Sequence, residues 1–487
     1  MPATQDHVTH YRGYINGEWI DAAGHELLEV QNPATGQTWA TVTVNTDDEV
    51  ARALETSQKA QKSWARLPAI ERAGYLHDIA RRVLAEREPL ARLLVQEQGK
   101  TWPEALHEVD DTAKYIVYAA EAARRITGEI VSSDDANIAL SIHRVPYGVT
   151  LGLCAFNYPL ALIGRKIGPA LVTGNTMIIK PHDATPATAS EFCRICDEAG
   201  LPPGVINLVT GGAEVGARLV SDPIVRMITV TGSIRAGQHI MRGAAENLSA
   251  VSLELGGKAP FIVMDDADVD AAAQAAVIAR YANCGQICIC SEVAMVHEKI
   301  ADRFAEKVVE LSKQVVVGDP MEAKTTMGPS VTAAGVERFR SMVKESVAGG
   351  AELLTGGGRP GGAAFENGNW FEPTVLMGAK PGQVTVEEEI FGPVLPIMRV
   401  TGFDQALELA NARDDGLSAY LWTHDYRMHQ KAIAELETGT IFINQGICGM
   451  VQGYHNGHKK SGLAGEDGVH GLEAYLQKKT IYLNHGG

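Results

Sequence analysis

No apolar run in this chain approaches the ~20 residues that a membrane-spanning helix requires, so no span is expected. Positive charge is in deficit. With a net charge of −16 and no long basic run, the chain lacks the electrostatic footprint of a nucleic-acid binder, and the acidity is read as serving solubility. Cysteine is sparse, at seven residues in 487. The odd number and the absence of a framework spacing exclude a disulfide scaffold and point to a reducing, cytoplasmic compartment. Cys193 and Cys196 have C-x-x-C spacing but lie inside a helical pattern (187–199) with no second ligand pair, so they are read as core residues. The histidines include no H-E-x-x-H, and no metal site is expected. The dinucleotide fingerprint G-x-G-x-x-G is missing as well from the strand–helix alternation that begins at Val149. Met1–Asp6 carries no basic region followed by an apolar one, so no secretory signal is read there.

What is present is ample material for more than one core: 45% of residues are hydrophobic, and the length exceeds that of a typical single domain. Residues 13–44 read as short strands, with turn signals at Asn16-Gly17 and Thr35-Gly36. Thr46 and Glu49 have the spacing of a capping box. Helical periodicity then runs almost without pause to Thr127, punctuated by Pro68 and Pro89, each suited to a first helical turn. Two strand-like runs, 129–131 and 139–145, form a ribbon that must pack on something, because a two-stranded ribbon is not stable alone.

From Val149 strand and helix alternate. Strands are expected at 149–155, 176–179, 205–209, 227–230 and 251–254, with helices between them. This alternation predicts a doubly wound parallel sheet that binds ligands at the carboxyl ends of its strands. The turn Thr231-Gly232-Ser233 follows a strand and opens a helix, which suits a pyrophosphate. A second α/β segment starts near Lys258.

The densest chemical signal is Asn283-Cys284-Gly285-Gln286-Ile287-Cys288-Ile289-Cys290. Gly285 breaks the preceding Ala-rich helix, so Cys288 falls in a turn that a small molecule can reach. Glu254, in Leu253-Glu254-Leu255-Gly256-Gly257-Lys258, supplies a separate carboxylate. A thiol nucleophile and a carboxylate base are the parts that acyl-thioester chemistry needs. Together these two motifs resemble the aldehyde dehydrogenase superfamily. The likeness extends from about Tyr14 to the C-terminus and includes Asn32-Pro33-Ala34-Thr35-Gly36.

The resemblance implies an NAD-binding domain (1–128 and 149–255), a catalytic domain (256–465) and a small β arm (129–148 and 466–487) that joins subunits into a dimer or tetramer. It makes Cys288 the nucleophile, Glu254 the base, and the Asn157 amide and Cys288 N–H the oxyanion donors. Cofactor residues carried over are Lys180, Gly232, Ser233, Glu389 and Phe391. The family usually has Lys-Pro-x-Glu where this chain has Lys180-Pro181-His182-Asp183. Asp183 is one methylene shorter, but its charge repels a 2′-phosphate, which favours NAD over NADP. His182 receives no role.

The segment Gly453-Tyr454-His455 resembles the lactaldehyde/glycolaldehyde subgroup, placing His455 and Gly449 at the substrate pocket with Tyr158, Arg165 and Ile289. Semialdehyde enzymes pair an arginine at position 165 with a second one, where this chain has Ala282. The expected substrate is therefore a small uncharged or hydroxylated aldehyde, with tolerance for apolar or aromatic groups. A succinic-semialdehyde-type enzyme using Arg165, a CoA-acylating enzyme and a catalytically silent structural relative are the alternatives. An intact Glu254 argues against the CoA-acylating type.

Overall fold

A computed structural model describes residues 8–486; Met1–Asp6, read above for a signal, lies outside them. Local sequence signals act as their chemistry requires. Asn16 and Gly17 both take positive φ (56° and 83°), making the two-residue turn of the hairpin Gly13–Ile15/Glu18–Ile20. The Thr46 hydroxyl accepts from the Glu49 N–H at 3.4 Å, and the Glu49 carboxylate accepts from the Thr46 N–H at 2.9 Å. This capping box opens the helix Asp47–Trp64. Pro68 precedes Ala69–Ala85, and Pro89 lies in the first turn of Arg87–Gln98. The fourth helix, Trp102–Glu121, packs on Pro159–Val172. Gly164 and Gly168 permit this approach. A Cβ at either position would stand 2.9 Å from Thr112 or Ala119.

The first domain is an eight-stranded sheet. Its central five strands are parallel, in the order Ala250–Leu255, Val225–Gly232, Val149–Leu153, Thr176–Lys180, Ile206–Leu208. The chain runs outward from Val149–Leu153 in one direction, then returns to build the other side. The switch point therefore lies where Leu153, Lys180 and Gly232 end, which is where an open α/β sheet presents its binding crevice. Thr176–Lys180 is buried throughout, as expected for a strand covered on both faces. The second domain is a seven-stranded sheet, Glu352–Thr355, Thr374–Met377, Val394–Val400, Val293–His297, Pro260–Val263, Ser418–Trp422, Thr440–Ile443, parallel except at its first strand.

The ribbon Glu129–Val131/Ile138–Pro146 takes the strand Leu476–Asn484 as its third member. The C-terminal boundaries differ from those expected. Gly462–Leu463 joins the edge of the first sheet beside Ala250–Leu255, and Leu472 and Tyr475 are buried in the first domain's core. Residues 466–475 thus belong with that domain, and the arm proper begins at Leu476. Short apolar side chains among glycines left this return unmarked in the sequence. Among the described residues no helix is long and apolar enough to cross a membrane.

Candidate active site

After the helix Val269–Tyr281, three successive residues adopt left-handed backbone: Asn283 (φ 48°), Cys284 (φ 56°) and Gly285 (φ 73°). Two of them are not glycine, a conformation that persists only where its surroundings impose it. The Asn283 N–H donates to Glu104 Oε1 (2.7 Å), its amide nitrogen to the Asn157 carbonyl (3.0 Å), and its Oδ1 accepts from Gln98 Nε2 (2.8 Å). Gln286 Nε2 donates to the Asn283 carbonyl (3.0 Å), and Gln286 Oε1 accepts from the Val331 N–H (3.0 Å). Arg280, fully buried, donates to the Gly285 carbonyl at 2.8 Å. A Cβ on Gly285 would meet the Gly392 backbone at 2.4 Å. The Asn and Gln of the motif are therefore scaffolding for the turn that carries Cys288.

Of the three cysteines in the motif, Cys284 and Cys290 are buried and Cys288 is partly exposed. Cys290 donates its thiol to the Gly285 carbonyl at 3.5 Å. Burial pushes the Cys288 thiol up to about 12; Arg165 opposes that rise, while Glu254 and Glu389 add to it. Asn157 directs one amide hydrogen at the Gln286 carbonyl (2.9 Å).

Glu254, at the end of Ala250–Leu255, is 3% exposed, and neither carboxyl oxygen accepts a hydrogen bond. His455 Nε2 stands 3.4 Å from Glu254 Oε2. That is contact distance without hydrogen-bond geometry, and it is not an ion pair, because burial, helped by Arg165, pushes His455 down to about 3 and leaves it neutral. Burial likewise raises the Glu254 carboxyl well above the usual carboxylate range, with Glu466 contributing. A buried carboxyl group with an elevated pKa and no partner is the form a general base takes in a cleft.

The substrate candidates fall into two groups. Tyr158 starts the helix Pro159–Val172 and lies under Lys100 Nζ, 3.9 Å from its ring centre. Arg165, on the same helix, is held by Asp467, with its Nε 3.0 Å from Oδ1 and a second contact from the other nitrogen to Oδ2. His455 touches Glu254. Ile289 packs on the second domain's core, and its carbonyl accepts from Tyr420 Oη at 2.5 Å. Gly449 lies in an exposed loop, with open space where a Cβ would be.

The cofactor candidates border the switch point. Lys180 Nζ donates to the Pro181 carbonyl (3.2 Å) and to Asp183 Oδ1 (3.1 Å). Ser233 caps the helix Ile234–Asn247 by accepting from the Ala236 N–H at 3.2 Å. Glu389 Oε1 accepts from the Gly257 N–H at 3.3 Å, and burial raises its carboxyl to about 8. Phe391 takes a left-handed φ of 54°. Its ring meets Phe156 edge-on, and Phe156 in turn meets His182. His182, unassigned from sequence, therefore buttresses the Phe391 ring through Phe156. A helix start with Gly232 before it, Lys180 two strands along the same sheet, and a carboxylate with an aromatic ring from the second domain are parts that could hold a dinucleotide.

Sequence reasoning missed Glu292. It is fully buried and contacts Lys258 (2.7 Å), Arg280 (2.7 Å), and the N–H groups of Ile390 (2.8 Å) and Phe391 (3.1 Å). Through Arg280 it fixes the Cys288 turn; through Phe391 it fixes the cofactor loop. Against the upward pull of burial, Arg280 and Lys258 hold Glu292 at about 2, while burial draws Lys258 down to about 8. Its depressed carboxyl lends stability above the ordinary 4.5, lost as pH falls through about 2. Glu292→Gln should lower stability by about 3–5 kcal/mol, because two buried cations lose their countercharge. A fall in the thermal unfolding midpoint measures this, and an unchanged midpoint would contradict the hub.

A partly exposed thiol in a turn, an orphaned buried carboxyl and an open α/β sheet with a switch point are the parts of a class of oxidoreductase. The profile of the aldehyde dehydrogenase family matches residues 19–481, and this chain belongs to that family. The 3,6-anhydro-α-L-galactose dehydrogenase of Vibrio sp. (strain EJY3) is 42% identical over 475 residues, 97% of this chain and 99% of that one. Lactaldehyde dehydrogenase of Escherichia coli (strain K12) is 40% identical over 472 residues, 96% and 98% of the two chains. Among solved structures, a 3,6-anhydro-L-galactose dehydrogenase in complex with NAP (NADP) superposes with a TM-score of 0.96 at 44% identity, covering 98% of this chain and 100% of that one. The lactaldehyde dehydrogenase of Escherichia coli superposes at 0.95 with 40% identity, covering 98% and 100%. The protein is an aldehyde dehydrogenase of the NAD(P)-using kind.

Proposed function

We propose that this enzyme oxidises a small uncharged or hydroxylated aldehyde to its carboxylic acid, with NAD as cofactor and Cys288 as nucleophile. The observation that carries the reading is Glu254, a buried carboxyl with both oxygens free of hydrogen-bond partners, together with Cys288, the one partly exposed thiol of its motif. Cys288 releases its thiol proton to solvent, and the Sγ lone pair bonds to the aldehyde carbon while the carbonyl π pair moves onto oxygen. The Asn157 amide and the Cys288 N–H receive the negative charge that develops on the carbonyl oxygen, donors that act where charge appears in the transition state. Lys180, Gly232, Ser233, Glu389 and Phe391 would hold the cofactor. When bound, its oxidised nicotinamide supplies the hydride acceptor that turns the hemithioacetal carbon into a thioester. Glu254 then takes a proton from water, whose oxygen attacks the thioester carbon; the C–S bond breaks to release the acid, and Glu254 returns its proton to the Cys288 thiolate.

The test is NADH absorbance with an aldehyde panel, run with and without CoA. Turnover without CoA is expected; strict dependence on CoA would replace water as the acyl acceptor. On substrate charge, Ala282 leaves Arg165 without a second arginine, and Ile289 and Gly449 offer no hydroxyl partner. Glycolaldehyde, lactaldehyde, a straight-chain aldehyde and benzaldehyde are expected to outperform succinic semialdehyde in kcat/KM. Dominance by succinic semialdehyde would select the semialdehyde reading.

For the cofactor, Asp183 places a carboxylate beside Lys180, and its repulsion of a 2′-phosphate favours NAD by roughly tenfold or more in kcat/KM. The same contact favours a second reading, since Lys180 partly neutralises Asp183, and a structural relative holds NADP. Equal efficiencies would support NADP use. The arm exposes Ile130, Tyr482 and Leu483, which supports a dimer or tetramer joined through this sheet, testable by light scattering.

A further inference from the structure

Arg165 lies in the second turn of the helix Pro159–Val172, whose N-cap is Tyr158. A guanidinium there would ordinarily attract an anionic substrate tail. Here its fork is already filled. Asp467 takes Nε at 3.0 Å and the terminal nitrogen through its second oxygen, Glu466 Oε2 stands 3.5 Å away, and the Tyr115 ring covers the guanidinium at 5.2 Å. The side chains of Arg165 and Asp467 are 13% and 8% exposed.

Asp467 cannot easily swing aside. Its backbone sits at φ 63°, and its carbonyl accepts from the Gly471 N–H at 2.9 Å. The preceding residue, Glu466, exchanges two backbone hydrogen bonds with His455 at 2.9 and 2.8 Å and neutralises Lys166. A small cavity lined by Tyr115, Tyr118, Arg165, Val451, Asp467 and Leu472 opens beside the pair.

We propose that Asp467 is a specificity-determining residue: by occupying the Arg165 fork it makes the pocket refuse aldehydes that carry a distal carboxylate. A substrate carboxylate reaching Arg165 would have to displace Asp467, leaving it buried without a cation, or share one guanidinium with it. Neither exchange gains an ion pair, and both leave a desolvated charge unpaired. Neutral and hydroxylated aldehydes face no such conflict. This inference rests on Cys288 and Glu254 forming the reacting centre.

The test compares two substrates within each protein, so partial misfolding cancels. In Asp467→Asn the ratio of kcat/KM for succinic semialdehyde to that for pentanal should rise roughly tenfold or more over wild type, the scale of a hydrogen-bonded charge regained. Adding Arg165→Gln should abolish the rise. An unchanged ratio in Asp467→Asn, or a rise that survives Arg165→Gln, overturns the proposal. Wild-type protein gives a check free of any variant: succinate and butyrate should inhibit competitively with the aldehyde to similar extents, and a roughly tenfold advantage for succinate would show Arg165 free for anions. Wild-type protein that oxidises neither aldehyde would overturn the assigned function, and this inference with it.

Discussion

Cys288→Ala is expected to reduce NAD(P)H formation to below ~10⁻⁴ of wild type, the scale on which removal of a covalent nucleophile acts, while the cofactor still binds. The other thiols of the turn cannot substitute. Cys284 is 1% exposed and Cys290 is fully buried, with its thiol committed to the Gly285 carbonyl. Alanine removes the sulfur but keeps the backbone N–H at position 288, so the oxyanion donors and the left-handed turn before them persist. Arg280, Asn283 and Gln286 hold that turn from outside the thiol, and the variant should unfold near the wild-type temperature. Absorbance of NADH reports the reaction, and quenching of protein fluorescence by NAD reports binding. Cys290→Ser can keep the bond to Gly285 and should remain active. Oxidation by Cys288→Ala at a rate near wild type would remove Cys288 from the reaction.

Much of this architecture is legible because it rests on short-range chemistry. The Thr46 capping box, the Asn16-Gly17 hairpin and the strand–helix alternation from Val149 each follow from residues a few positions apart. The break at Gly285 is legible too, although the left-handed Asn283 and Cys284 are not, since nothing in their identity demands φ near +50°. What escaped is the set of buried carboxylates. Neither Tyr158 nor Pro186 caps its helix with a side chain. Glu108 instead accepts from the N–H groups of Leu160 and Ala161, and Glu97 from those of Ala187 and Thr188. Each thus places a negative charge at a helix N-terminus from a distant part of the chain. Glu292 reaches Ile390 and Phe391 across a comparable gap. Acidic residues are ordinarily solvated, and periodicity reports which face a residue occupies, not whether a cation or an N–H group awaits it there. The same limit hid Asp467, which sequence placed with the arm and the fold places on Arg165.

Glu254→Gln should separate the two halves of the reaction. The amide matches the carboxylate in size, so packing at the end of Ala250–Leu255 is preserved, but it cannot accept a proton at neutral pH. Formation of the acyl-enzyme draws on Cys288, Asn157 and the cofactor, and a pre-steady-state burst of NADH should survive. Hydrolysis requires a base for water, and its loss costs roughly 10²–10⁴ in rate. Steady-state turnover should therefore fall by about that factor, with acyl-enzyme accumulating as a mass increment on Cys288. The pH dependence has a definite sign. A base acts when deprotonated, so wild-type activity rises with pH through the Glu254 pKa, and burial, reinforced by Glu466, places that limb above the usual carboxylate range. His455, held neutral by burial, contributes no charge to move it in the neutral range. Gln at 254 should flatten the limb. If steady-state turnover and the pH limb both survive the substitution, the water is activated by another group, and the unpartnered carboxyl of Glu254 has no part in releasing the acid from Cys288.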